Sequence, residues 1–288
     1  MDIILSSNKL KVVLKSLGAE ICSVKNKDDL EFMWQAKKEF WPRHAPVLFP
    51  IVGQLKEDTF IFENKPYKLS KHGFARDCEF TLVENSGTTC TFQLQSDLKT
   101  KTVYPFDFIF EIKYELVESV LTTDYKVINP SSEPIYFSVG GHPAFACPLN
   151  DSEVFEDYYF EFASKQLEVT ELNKGLRKET KQTVKLKENK LFLSETLFDN
   201  DALIFENNQV NKISLCSSKS THKITLECKN WPYFGVWSKE RCKEYVCMEP
   251  WHGIADLESS NKNLTEKEGI IKLEPEKQFN CSFSISFE

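Results

Sequence analysis

Phe108-Ile109-Phe110-Glu111-Ile112-Lys113-Tyr114-Glu115-Leu116 alternates large apolar side chains with charged ones. Phe108, Phe110, Ile112, Tyr114 and Leu116 share one face; Glu111, Lys113 and Glu115 take the other, with Ile109 the exception. Successive side chains of an extended chain point to opposite sides, so a period of two reads as a strand with one buried face. The chain closes on the same pattern, with Cys281, Phe283, Ile285 and Phe287 between Ser282, Ser284 and Ser286.

Polar turns punctuate these runs. Glu63-Asn64-Lys65-Pro66, Asn85-Ser86-Gly87 and Asn129-Pro130-Ser131-Ser132 each separate two apolar segments, as hairpin loops do. Long amphipathic helices are missing, and short helical turns are expected only near Asp29 to Lys38 and Ser194 to Asn200. The Lys-, Glu- and Thr-rich stretch from Lys165 to Lys190 reads as an exposed insertion with some strand character. No repeat or composition shift divides the chain, so residues 1–288 read as one domain. The expectation is an all-β fold, a large antiparallel β-sandwich or barrel with few short helices. An open sandwich with a concave sheet would leave a groove for a ring-shaped or extended ligand.

Composition narrows the function. The net charge is -7 with acidic and basic residues intermixed, so no basic block exists to neutralise nucleic-acid phosphates. The nine Cys include no CxxC and sit in strand-like surroundings, which fits reduced buried thiols in a cytoplasmic protein. The opening residues lack the basic and apolar regions of a signal peptide, and no apolar run is long enough to span a membrane. Of 36 basic residues only Arg43, Arg76, Arg177 and Arg241 are Arg, and Lys cannot replace their planar, two-pronged donor.

Four short segments combine reactive groups with constrained backbone. Trp41-Pro42-Arg43-His44-Ala45-Pro46-Val47-Leu48-Phe49-Pro50 is bounded by proline. His72-Gly73-Phe74-Ala75-Arg76 sets a His and an Arg around a Gly. Gly140-Gly141-His142-Pro143-Ala144-Phe145 places an imidazole at a strand end, where proton transfer near neutral pH is available. Cys247-Met248-Glu249-Pro250-Trp251-His252-Gly253 puts a carboxylate behind an apolar run. Taken alone, His44 and His252 read as surface or structural, and His222 as an exposed strand residue. Trp231, Tyr233, Phe234 and Trp237 read as core, with one free to stack on a ligand. Neither HExxH nor CxxC occurs, and GxSxG, GxGxxG and Walker loops are missing too. Proton transfer between His and Glu, without metal or cofactor, is the chemistry that remains.

These segments resemble the aldose 1-epimerase (galactose mutarotase-like) superfamily, with the likeness strongest to its shorter LacX-type bacterial branch, itself related to hexose-6-phosphate mutarotases. The residues carrying it are His72-Gly73-Phe74-Ala75-Arg76, Gly141-His142-Pro143-Ala144-Phe145, Cys247-Met248-Glu249-Pro250, and Arg43 ahead of Pro46-Val47-Leu48-Phe49-Pro50. Their order spans residues 40 to 256. The resemblance implies a β-supersandwich and cofactor-free interconversion of sugar anomers. It implies Glu249 as the base on the C1 hydroxyl, His142 as the acid on the ring oxygen, and His72 as a hydrogen-bonding partner there. It implies Arg43 and Arg76 as ligands of sugar hydroxyls or a phosphate, and an Asp on the sugar: Asp201, with Asp199 as its competitor. Trp251-His252-Gly253 departs from the longer mutarotases, which brings His252 forward as a residue lining the site. The implied partner is a monosaccharide, a hexose or hexose phosphate, bound by a monomer or dimer. A non-catalytic sugar-binding or sensing protein on the same fold is the alternative.

Overall fold

The computed structural model describes residues 2–288. The decisive stretch forms the strand Ile109–Val117, in which Phe110, Ile112, Tyr114 and Leu116 are buried and the intervening residues are not. It pairs antiparallel with Val120–Ile128, which pairs in turn with the last strand, Gln278–Phe287. These are central members of a nine-stranded antiparallel sheet running from Lys190–Phe192 at one edge to Thr81–Asn85 at the other.

A second large antiparallel sheet faces it. In spatial order it holds Leu176–Lys185, Gln166–Asn173, Leu203–Phe205, Tyr233–Trp237, Tyr245–His252, Val139–Gly141 and Val47–Leu48. Ala144–Ala146 also pairs with Tyr245–His252. Apolar side chains from both sheets meet in one continuous core that includes Phe110, Tyr125 and Phe283 from the first and Val236, Val246 and Met248 from the second. The Phe49 and Phe110 rings stack across it with centroids 4.6 Å apart. The fold is the antiparallel β-sandwich that the alternation predicts.

Two local expectations give way. Residues near Asp29 to Lys38 form no helix: Phe32, Met33 and Trp34 are buried in succession, which one helical face cannot achieve. Glu31 holds that segment instead, accepting from the N–H groups of Val24 and Met33. Ser194 to Asn200 forms turns, not a helix. The four-residue helix Leu98–Lys101 was not foreseen; Asp97 caps it by accepting the Thr100 N–H at 2.7 Å.

The expected insertion is a hairpin, Gln166–Asn173 with Leu176–Lys185, that extends the second sheet. Its two-residue loop, Lys174-Gly175, has positive φ at both positions (49° and 81°), the geometry that keeps twisted strands together. The hairpin is not exposed throughout. Arg177 is buried, donating to Ala255 O (2.8 Å) and pairing with Glu206 (3.3 Å) and Glu268 (2.7 Å). All nine cysteines are free and six are buried. Among the described residues, no helix is long and apolar enough to cross a membrane.

Candidate active site

Strand parity places the carboxylate. Along Tyr245–His252, Tyr245, Cys247 and Trp251 pack outside the inter-sheet core, while Val246 and Met248 enter it. Glu249 falls on the first face and is 1% exposed. Its neighbour across the strand pair is Gly235, where an added Cβ would stand 2.5 Å from the Trp251 ring, so only glycine leaves room for that indole.

His142 follows the strand Val139–Gly141 and is buried. Its N–H donates to Pro46 O at 3.1 Å, which ties it to the proline-bounded segment. From that segment Trp41 stacks on the imidazole at 4.9 Å, and Trp237 meets it edge-on at 5.8 Å. The held ring sets His142 Nε2 3.2 Å from Glu249 Oε2.

His72 is fixed by backbone. It adopts φ +69° and Gly73 adopts +71°. The Gly53 N–H donates to His72 Nδ1 at 3.1 Å, and the His72 N–H returns a bond to Gly53 O at 3.0 Å. Since Nδ1 accepts, the neutral ring carries its proton on Nε2 and offers a donor there. The His72 and His142 rings meet edge to face at 5.5 Å.

Glu249, His142 and His72 line one cavity of about 690 Å³, counting the space open to solvent, with Trp41, Lys71, Arg76, Asp201, Trp237 and Trp251 also in its wall. Burial pushes the Glu249 pKa well above the usual carboxylate range, with Lys71 opposing and Asp201 reinforcing the shift. Burial, helped by the Lys71 charge, lowers His142 to about 3. His72 is held well below its ordinary value, first by burial and then by His142 and Lys71. Both members of the His142–Glu249 pair are thus driven towards neutrality, and the pair holds one acidic proton between them. Buried polar atoms without hydrogen-bond partners gather here: His142 Nδ1, Glu249 Oε2, Trp251 Nε1 and Arg76 Nε. The Trp251 indole is near enough to favour the charged Glu249 slightly, yet its N–H is not aligned for a hydrogen bond. Orphaned polar groups in a cavity are what a polar ligand satisfies.

The remaining candidates separate cleanly. Arg76 lines the cavity, with Nη2 donating to Lys71 O at 2.7 Å. Arg43 does not line it; its guanidinium pairs with Asp77 at 2.9 Å, and Asp77 also lies 3.8 Å from Arg76 Nε. Asp201 is in the wall, whereas Asp199 pairs with Arg241 at 2.7 Å. His252 stands on the opposite face of its strand from Glu249, packed on Trp231 (4.6 Å) and Phe279 (5.2 Å), and is not in the cavity wall. Residues three apart on a strand point to opposite faces, which overrides the adjacency that suggested a lining role. Sequence reading missed Gly53, Trp251 and the hairpin residues Leu172 and Gly175 as wall residues. Only Trp251 carried a signal, sharing the parity of Glu249 two residues on.

The aldose 1-epimerase family model matches residues 1–268. The chain belongs to the aldose 1-epimerase family. Two relatives from Lactococcus lactis subsp. lactis, the chromosomal and plasmid forms of protein LacX, are each 32% identical over 299 residues, covering 99% of both chains. Among solved structures, a galactose mutarotase related enzyme from Lactobacillus acidophilus is 38% identical, with a TM-score of 0.95 over 100% of this chain and 97% of that one. A galactose mutarotase-like protein from Lactobacillus casei is 28% identical, with a TM-score of 0.91 and full coverage of both. The family's galactose mutarotase-like sandwich is therefore the fold of this chain.

Proposed function

We propose that the protein is a cofactor-independent mutarotase that interconverts the α and β anomers of a hexose. The observation that carries this reading is the buried His142 Nε2–Glu249 Oε2 contact at 3.2 Å, in a cavity where His72 is fixed as a donor. Mutarotation needs a proton removed from the C1 hydroxyl and one delivered to the ring oxygen. Both oxygens are bonded to the same carbon, so acid and base must stand close together, as these two do. With the shared proton on His142, Glu249 is the base for O1 and His142 the acid for the ring oxygen. The C1–O5 bond breaks, the C1–C2 bond rotates, and closure returns the protons. His72 Nε2–H stabilises charge developing on the ring oxygen. Trp41, Trp237 and Trp251 supply apolar walls, while Arg76 and Asp201 supply hydroxyl ligands.

Exchange of fresh α-glucose and α-galactose, followed by polarimetry or NMR, tests the assignment. Acceleration over buffer is expected, and no acceleration with any free or phosphorylated aldose would leave the non-catalytic sugar-binding reading in its place. One feature favours a phosphorylated hexose as a second reading. Lys71 makes no ion pair among the described residues and lies in the same wall as Arg76, whose buried Nε lacks a hydrogen-bond partner. A higher kcat/KM for a hexose 6-phosphate than for the free hexose would support that form.

A further inference from the structure

The catalytic pair has a third neighbour that proton transfer does not use. Cys247 lies two residues before Glu249 on the same strand face and is fully buried. Ligand atoms of His142, Cys247 and Glu249 all fall within 4.8 Å of one another. In tetrahedral zinc sites the donors sit about 2.0 to 2.3 Å from the metal, hence about 3.3 to 3.7 Å apart. The 3.2 Å His142–Glu249 separation is already close to that spacing. One imidazole, one thiol and one carboxylate form a mixed donor set suited to Zn²⁺ and its neighbours, with the cavity side open for a fourth oxygen ligand. The residues lie too far apart in sequence for a metal-spacing motif to reveal them.

We propose that His142, Cys247 and Glu249 form a reversible binding site for a divalent ion of the Zn²⁺ class, and that the ion blocks the active site by taking both members of the acid–base pair as ligands. The blocking half rests on the mutarotase reading; the binding half does not. Zn²⁺ displaces the thiol proton and the proton held by the pair, so uptake releases protons and tightens as pH rises. Two features keep the site weaker than a structural zinc centre. His142 Nδ1 lacks the hydrogen-bond partner that usually orients a ligating histidine, and Lys71 faces the same cavity. A bound hexose and the ion occupy the same groups and exclude each other.

Co²⁺ added to the reduced, metal-free protein is the direct probe, because a thiolate ligand gives a near-ultraviolet charge-transfer band. The band is expected in the parent protein, bleached by Zn²⁺, and lost in both Cys247→Ser and Cys247→Ala, with circular dichroism confirming that the variants fold. It is expected to persist in Cys22→Ser, which removes the thiol of the other mixed donor group, Glu20, Cys22 and His44. In anomer-exchange assays, the Zn²⁺ concentration that halves each protein's own rate should rise at least about tenfold in Cys247→Ser, since losing a ligand costs no less than losing an outer partner. The proposal is overturned if the parent shows no band, if the band survives in the Cys247 variants, or if Zn²⁺ slows Cys247→Ser as it slows the parent. A metal-free parent that exchanges no anomers would sink the mutarotase reading and leave the cobalt result to stand or fall alone.

Discussion

Lowering the pH from 6.5 to 5.0 should destabilise the protein, with about 1.6 kcal/mol of the loss from His252 and a further loss from His72. His252, its ring packed on Trp231 and Phe279, has its pKa lowered by burial to about 4. His72 is held well below its ordinary value, chiefly by burial. Both titrate near 6.5 once unfolded, so through this window the unfolded chain binds protons that the folded chain refuses. Stability from a histidine with a depressed folded pKa is present above the unfolded value and falls as pH drops towards the folded one. For a shift from about 6.5 to about 4, linkage gives roughly 1.6 kcal/mol between these two pH values. His72 adds a loss of the same sign. The His142–Glu249 pair offsets itself in part: the depressed His142 pKa costs stability as pH falls, while the raised Glu249 pKa returns some. His44, partly exposed, adds a smaller loss. Urea unfolding at pH 6.5 and 5.0 measures the difference. His252→Phe, which keeps an aromatic ring between Trp231 and Phe279, should remove about 1.6 kcal/mol of it. Equal stability at the two pH values, or an undiminished loss in His252→Phe, would refute the burial argument.

Glu249→Gln and His142→Asn should each slow anomer exchange by on the order of 10² to 10⁴. Because the two groups act as one proton-holding unit at 3.2 Å, the double variant should be no more than about tenfold slower than the worse single one; multiplied effects would show that they act separately. Lys71→Met should move the alkaline limb of kcat/KM to higher pH, because the Lys71 charge lowers the pKa of both His142 and Glu249; an unmoved limb would place Lys71 outside their field. Gly73→Ala should lower the melting temperature by roughly 6 °C or more, from left-handed strain plus a Cβ 2.3 Å from Phe49 O, and a melt within a degree of the parent would contradict the fixed His72 turn.

The sandwich was legible because half-buried strands write a two-residue period into the chain, as Phe110 to Leu116 does. Segments held by side-chain-to-backbone bonds leave no such trace, which is why the Glu31 segment reads as a helical turn in sequence. The motifs of His72, His142 and Glu249 could be ordered along the chain, but their meeting in space depends on pairing between distant strands. Arg177 falls in the stretch that reads as an exposed insertion because its partners, Glu206, Ala255 and Glu268, lie far along the chain. The position of His252 was the exception. Its three-residue offset from Glu249, read as strand parity, already sets it on the far face.

That parity makes the register of Tyr245–His252 self-checking. A slip of one residue would send Glu249 and Trp251 into the inter-sheet core and bring Met248 and His252 to the cavity. A carboxylate stranded there without a partner costs several kcal/mol, far more than an exchanged pair of apolar residues. The residue proposed to move the proton would then also act as a proofreader of strand pairing, and a chain misfolded in this way would be unstable rather than folded and inert.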